Sequence, residues 1–141
     1  MFLVNDLMST QLVTLDEQEP LDDVRRWLSL AHLHHLPVVR GRTLVGLLTH
    51  RELLAQAARQ RDGEAPARAG EVMKKKVMTV RPGSSAQEAV RLLLRYRLGC
   101  LPVVESDRTL VGLLTATDLL KVAAERVGAG PLDGEADAAE G

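Results

Sequence analysis

The sequence predicts an α/β fold, more narrowly α+β, in which two β-α-β-β-α units pack as a pseudo-twofold pair. Three observations predict it. Seven residues running, Thr43 to Thr49, recur unchanged as Thr109 to Thr115. At a shift of 65, Met8 falls on Met73, Thr14 on Thr79, Leu28 on Leu93, and Leu36-Pro37-Val38-Val39 on Leu101-Pro102-Val103-Val104. Within each copy the apolar pattern alternates between short β-type runs and helical spacing. The copies cover about residues 2–60 and 68–127, with a linker over 61–67 and an acidic tail over 128–141.

Each element follows from local chemistry. Leu12-Val13-Thr14-Leu15 and Val77-Met78-Thr79-Val80 read as opening strands. Pro20 suits a first helical turn, and Leu21, Val24, Leu28 and Ala31 then form a buried stripe, widened by Trp27 and Leu30. In the second copy, Pro82-Gly83-Ser84-Ser85 is a turn, and Ser85 with Glu88 has capping-box spacing. Ala86, Ala89, Val90, Leu93 and Leu94 keep helical spacing, and Gly99 suits the helix end. Two apolar runs, 36–39 and 44–48, flank a turn containing Gly41 and predict a hairpin. One extra residue within Glu105-Ser106-Asp107-Arg108 falls in the equivalent loop, where length change is tolerated. Closing helices are expected from about His50 to Arg59 and Thr117 to Val127. Three strands and two helices in some 60 residues cannot bury both sheet faces alone, so the two copies should pack together. Arg61 to Gly70 carries Gly63, Pro66 and alternating charge, as linkers do. The tail, rich in Gly, Ala, Pro and acids, is expected to be disordered.

Composition narrows the function classes. Of 141 residues 45% are apolar but only 2% aromatic, so the core is aliphatic. The formal net charge is −1, and four acids in the tail leave 18 bases against 15 acids in the body. That mild positive balance fits a small anionic ligand and not a nucleic-acid groove. The single Cys100 excludes an intrachain disulfide and suits a reducing compartment. No run is long enough to span a membrane, and Met1 to Asp6 lacks the features of a secretory signal, so a cytoplasmic protein is expected. No Ser-His-acid set, phosphate-binding Gly loop or metal-ligand cluster is visible, so no enzyme activity is expected.

The candidate site lies where the copies diverge. After the shared Thr115 come Ala116-Thr117-Asp118; after Thr49 come His50-Arg51-Glu52. Gly112 permits close approach to the backbone, Thr115 and Thr117 offer hydroxyls, and the following helix start attracts phosphate. Asp118 has two oxygens to accept from a ribose diol. The same Thr-x-x-acid spacing also caps a helix, with no ligand involved. Of the histidines, His32, His34 and His35 end the first long helix. Favourable charge at a helix C-terminus explains them better than a metal, since structural zinc gathers four ligands. Lys74-Lys75-Lys76 suits a phosphate or acidic-partner contact, but a solvated loop explains it better, and Cys100 reads as a buried small apolar residue.

Two in-register copies of Leu-Pro-Val-Val, Leu-Val-Gly-Leu-Leu-Thr and an acid before Leu-Leu resemble the paired cystathionine-β-synthase (CBS) domains called a Bateman module. The resemblance covers residues 2–127. It implies a regulatory module binding an adenosyl ligand (AMP, ADP, ATP, S-adenosylmethionine or NAD type) between the units, without a covalent cofactor; Mg2+ can accompany the phosphates. Gly112-Leu113-Leu114-Thr115-Ala116-Thr117-Asp118 matches the family's ribose-phosphate motif throughout. The implied site adds Thr79, for the adenine, and the backbone at Leu101-Pro102. His34 and His35 would reach the phosphates, with affinity weakening as pH rises through the histidine pKa. The first copy departs from the motif at Arg51 and Glu52, so Thr49, Arg51 and Glu52 form the weaker second site. Arg51 either crowds the phosphate or pairs with it through its guanidinium fork. The family also implies a homodimer, and with no effector domain in the sequence the regulated protein is a separate, unidentified partner. The alternative is a dimeric interaction module that needs no ligand.

Overall fold

A computed structural model describes residues 2–128. The elements in chain order are α1 (Val4–Leu7), β1 (Leu15–Asp16), α2 (Val24–Leu33), β2 (Leu36–Arg40), β3 (Thr43–Leu48), α3 (His50–Arg59), α4 (Ala69–Val72), α5 (Ala86–Tyr96), β4 (Cys100–Val104), β5 (Leu110–Thr115) and α6 (Ala116–Arg126). The mixed α+β fold has the expected hairpins. β2 pairs with β3 and β4 with β5, antiparallel, each with one register shift after Val38 or Val103. Gly41 turns the first hairpin at φ +64°, and Arg108 takes the left-handed conformation in the second.

The hairpins meet through their turns. Thr43 bridges Thr109, the Leu44 N–H donates to the Arg108 carbonyl at 3.0 Å, and the Leu110 N–H donates to the Arg42 carbonyl at 2.9 Å. Each copy has its own aliphatic core. The first gathers Leu15, Leu21, Trp27, Leu36, Val38, Leu48 and Leu53, and the second Val80, Ala89, Leu93, Leu101, Val103 and Leu114.

Each core is completed by a segment from the other copy. Val4, fully buried, belongs to the second core, with Leu7 and Met8 packed against it. The Val4 N–H donates to the Ser84 carbonyl at 2.8 Å, and Ser9 and Leu113 exchange two backbone hydrogen bonds at 2.9 Å. In the mirror arrangement Ala69 and Val72 plug the first core, and Leu47 and Lys74 exchange two backbone bonds of 3.0 and 2.8 Å. The repeats therefore trade their leading segments.

The trade explains why the opening strands are shorter than expected. Only Leu15–Asp16 forms a strand, parallel to β2, and in the second copy only Val80 bridges Val103. Residues just before them run along the partner copy instead. The first long helix also starts later: Asp23 Oδ1 accepts from the Arg26 N–H, while Pro20 bridges Arg68 outside the helix. Leu21 is buried, but ahead of α2. Ser85 accepts from the Glu88 N–H at 3.0 Å, half of the expected box. α5 ends on Arg97 in the left-handed conformation, φ 53° and ψ 50°, and not on Gly99. Residues 129–141, most of the tail expected to be disordered, lie outside the described residues.

The second copy is less filled than the first. Trp27, only 2% exposed, fills the first core, and its counterpart at the repeat shift is the smaller Leu92. α2 packs directly on α3, whereas an apolar groove lined by Phe2, Leu7, Val90, Leu119 and Val122 runs between α5 and α6.

Candidate functional site

At the end of each hairpin a threonine caps the next helix. The Thr115 N–H donates to Asp118 Oδ2 at 2.9 Å, and the Asp118 N–H donates back to Thr115 Oγ1 at 3.1 Å. The Thr49 N–H donates to Glu52 Oε1 at 2.8 Å, and the Thr49 hydroxyl donates to the same oxygen. Helix capping therefore occurs in both copies. It occupies one carboxylate oxygen, which leaves Asp118 Oδ1 and Glu52 Oε2 as acceptors for another group.

Two clefts flank the seam, and the exchange of leading segments decides what lines each. The larger, about 700 Å³, places Thr49, Arg51 and Glu52 opposite Lys74, Arg97 and Cys100 of the second copy. It adjoins a hollow of about 420 Å³ that shares Lys74, Tyr96 and Leu98 and adds Lys76, Val77 and Met78. The smaller cleft, about 150 Å³, sets Thr115 and Leu113 against Gln11, Leu12, Val13, His34 and His35.

This arrangement redistributes the expected site. The apolar segment at Val77–Met78 lies with the first-copy motif, not with Asp118, because Lys74 is tied to Leu47. Leu12 and Val13 take the place beside Thr115. Thr79 is half-buried and lines neither cleft. Leu101 is wholly buried in the second core, and Pro102 is buried with its carbonyl accepting from the Val80 N–H at 3.1 Å. The close approach at Gly112 is made by the chain itself: a Cβ there would lie 2.5 Å from Met8 Sδ and 3.1 Å from the Ser9 carbonyl oxygen. Thr117 is exposed on the first turn of α6, and Asp118 is half-buried outside the small cleft's lining.

The electrostatics favour the cleft that the sequence ranked second. The larger cleft carries Arg51, Lys74 and Arg97 against the single acid Glu52, whereas no Lys, Arg, Asp or Glu lines the smaller one. The sequence reading ranked a solvated loop above a phosphate contact for Lys74 and missed Arg97; both line the larger cleft. The repeat shift that pairs Lys74 with Ser9 carries no sign of which hairpin each segment joins. Cys100 is buried as expected; burial pushes its thiol up to about 12, with the Lys74 charge pulling the other way. Among the described residues no cluster of three or more His, Cys, Asp or Glu is placed to hold a metal. The His32 side chain lies outside the described residues.

His35 borders both clefts. A Cβ on Gly99 would stand 3.0 Å from its Cε1, so glycine there leaves room for the imidazole. Burial holds the His35 pKa below its usual 6.5. A base with a depressed folded-state pKa leaves stability intact above the unfolded value and removes it as pH falls through the folded value. Urea unfolding at about pH 7.5 and about pH 5.5 is therefore expected to show stability falling toward acid, and His35→Asn to reduce that fall. An unchanged slope in the variant would assign the acid sensitivity to other groups.

A model of the CBS domain matches residues 4–59 and again 69–125. The chain belongs to the CBS domain family. The CBS domain-containing protein YhcV of Bacillus subtilis (strain 168) is 30% identical over 117 residues, which cover 82% of this chain and 81% of that one. The inosine-5'-monophosphate dehydrogenase of Korarchaeum cryptofilum (strain OPF8) is 30% identical over 118 residues, 84% of this chain but only 22% of the enzyme. What is shared with it is thus less than a quarter of its length. The crystal structure of CBSX2 in complex with AMP has a TM-score of 0.77 at 27% identity, covering 89% of this CBS pair and 98% of that chain.

Proposed function

We propose that this CBS pair is a cytoplasmic, non-catalytic regulatory module that binds an adenosyl ligand of the AMP, ADP, ATP, S-adenosylmethionine or NAD type in the larger cleft between its repeats. The observation that carries the reading is the composition of that cleft. It combines a carboxylate with one uncommitted oxygen, Glu52, with three cations from two different copies. The carboxylate suits a ribose diol and the cations suit phosphate. The AMP complex of CBSX2 supports a nucleotide in this fold. Thr115, His34 and His35 offer a second and smaller site, with Asp118, in the motif's full match, just outside its lining.

Thermal unfolding with each of the five ligands tests this. A ligand that binds only the folded state raises the melting temperature, equivalent to about 2.7 kcal/mol at a hundredfold excess over Kd. Glu52→Ala is expected to abolish the shift, measured against its own unliganded baseline, and Asp118→Ala to preserve it. The reverse pattern would move the site to the smaller cleft, and no shift with any ligand at about millimolar concentration would end the sensor reading.

A second reading has its own observation. Leu94 is 75% exposed and Leu120 64% exposed, on the two helices that border the apolar groove. Exposed apolar area of this kind marks an interaction surface. We place a homodimer contact there, which also serves a ligand-independent interaction module acting on a separate effector protein; a monomeric mass in solution would exclude it. Among the described residues no helix is long and apolar enough to cross a membrane.

A further inference from the structure

We infer that the groove between α5 and α6 holds this chain's own acidic tail, with Leu132 seated against Val90, Leu119 and Val122 and the acids that follow it beside Arg126. The inference is independent of the adenosyl-ligand reading. It gives the homodimer contact placed on the same face a competitor within the chain. The groove, about 550 Å³, is walled mainly by apolar side chains, and Arg126 is its one charged lining residue. Among the described residues Arg126 meets the Phe2 ring at 5.5 Å and no carboxylate. An apolar trough with a cation at its end suits a segment that joins a large apolar side chain to acids.

The tail has that composition and starts in the right place. Leu132 is its one large apolar side chain, followed at once by Asp133 and then by Glu135 and Asp137. The Ala86 N–H donates to the Phe2 carbonyl at 2.9 Å, so the Phe2–Arg126 contact sets the end of α6 beside the start of α5, where all three residues line the groove. Gly128 then takes the left-handed conformation at φ 73°, its N–H donating to the Glu125 carbonyl at 3.2 Å. A glycine cap of this kind commonly brings the chain back against the helix it ends. The closing helix of the first copy ends on Gln60 in an extended conformation, so the repeat does not impose that turn. Val122 lies about 9 Å back along the helix axis from Gly128, and Leu132, four residues on, reaches about 13 Å. A segment tethered this closely has an effective concentration of about millimolar, which favours it over a dilute second copy.

Nuclear magnetic resonance of the full chain, with leucine and valine methyls labelled, tests the inference. Nuclear Overhauser contacts are expected from Leu132 to Val90, Leu119 or Val122, and mixing labelled with unlabelled chains should place them within one chain. Arg126→Gln should weaken them. Leu132→Ser lies outside both cores and should fold. It is expected to remove the contacts and to raise the fluorescence of anilinonaphthalene sulfonate as the groove is uncovered. It should also tighten self-association about tenfold, the factor that burial of one leucine carries. Contacts found only between chains, no contact with any of the three groove residues, or dye fluorescence unchanged by Leu132→Ser each overturn the inference. A monomeric mass for both chains with the Leu132 contacts present ends the homodimer reading and leaves the tail in its groove.

Discussion

A chain lacking residues 2–9 is expected to keep a protected first hairpin and lose protection across its second. Val4 is wholly buried among the second-core residues, with Leu7 and Met8 packed beside it. Burial of each such side chain contributes about 1.5–3 kcal/mol as an upper estimate. The truncation also strips the Leu113 N–H and carbonyl of their partners at Ser9. The combined loss is about 5 kcal/mol or more, comparable with the whole stability of a small domain. Amide hydrogen exchange reads the outcome. Residues 100–104 and 110–115 should exchange rapidly, while 36–40 and 43–48, closed by Ala69 and Val72, keep their protection. Equal protection of both hairpins in the truncated chain would show that the exchanged segment is dispensable.

Alanine at Gly46 is expected to cost about 2–3 kcal/mol, and alanine at Gly112 about half that. The two glycines occupy equivalent places but meet different obstacles. A Cβ on Gly46 would lie 2.3 Å from Met73 Sδ and 2.8 Å from the Lys74 carbonyl oxygen. That carbonyl accepts the Leu47 N–H at 3.0 Å and cannot retreat without breaking the bridge between copies. At Gly112 the thioether of Met8 is the main obstacle and the Ser9 oxygen stands farther off, at 3.1 Å. Double-mutant cycles by urea unfolding separate the cases. Met8→Ala should relieve most of the Gly112→Ala cost, while Met73→Ala leaves most of the Gly46→Ala cost in place. Equal relief at both positions would mean that the backbone contact at Lys74 is soft.

Much of the fold was legible because the repeat supplied each pattern twice. The hairpins, α3 and α6 follow from Leu-Pro-Val-Val, Leu-Val-Gly-Leu-Leu and the Thr-x-x-acid caps, all local signals. The opening strands were overdrawn because Leu12–Thr14 and Val77–Thr79 have strand composition without a strand partner. Their neighbours are spent on the opposite copy. The exchange itself leaves no mark in the sequence, since two matching copies give each leading segment two chemically similar hairpins to join. The site suffered from the same ambiguity. Thr117-Asp118 matched the motif, but the cleft's charge is set by Lys74 and Arg97, which arrive from the other copy. The turn at Arg97 was hidden behind Gly99, a better-looking helix end that instead makes room for His35.

The traded segments also fix an order of events as the chain leaves the ribosome. Residues 2–60 emerge before Ala69 and Val72, so the first core stays unplugged until the linker has followed. Residues 2–9 are made well before α5 and β5, which carry their binding groove. Until then Val4, Leu7 and Met8 are an apolar strip without the second core they pack against. A second chain of the same sequence carries an equivalent groove, which is the general route by which an exchanged segment can join two copies.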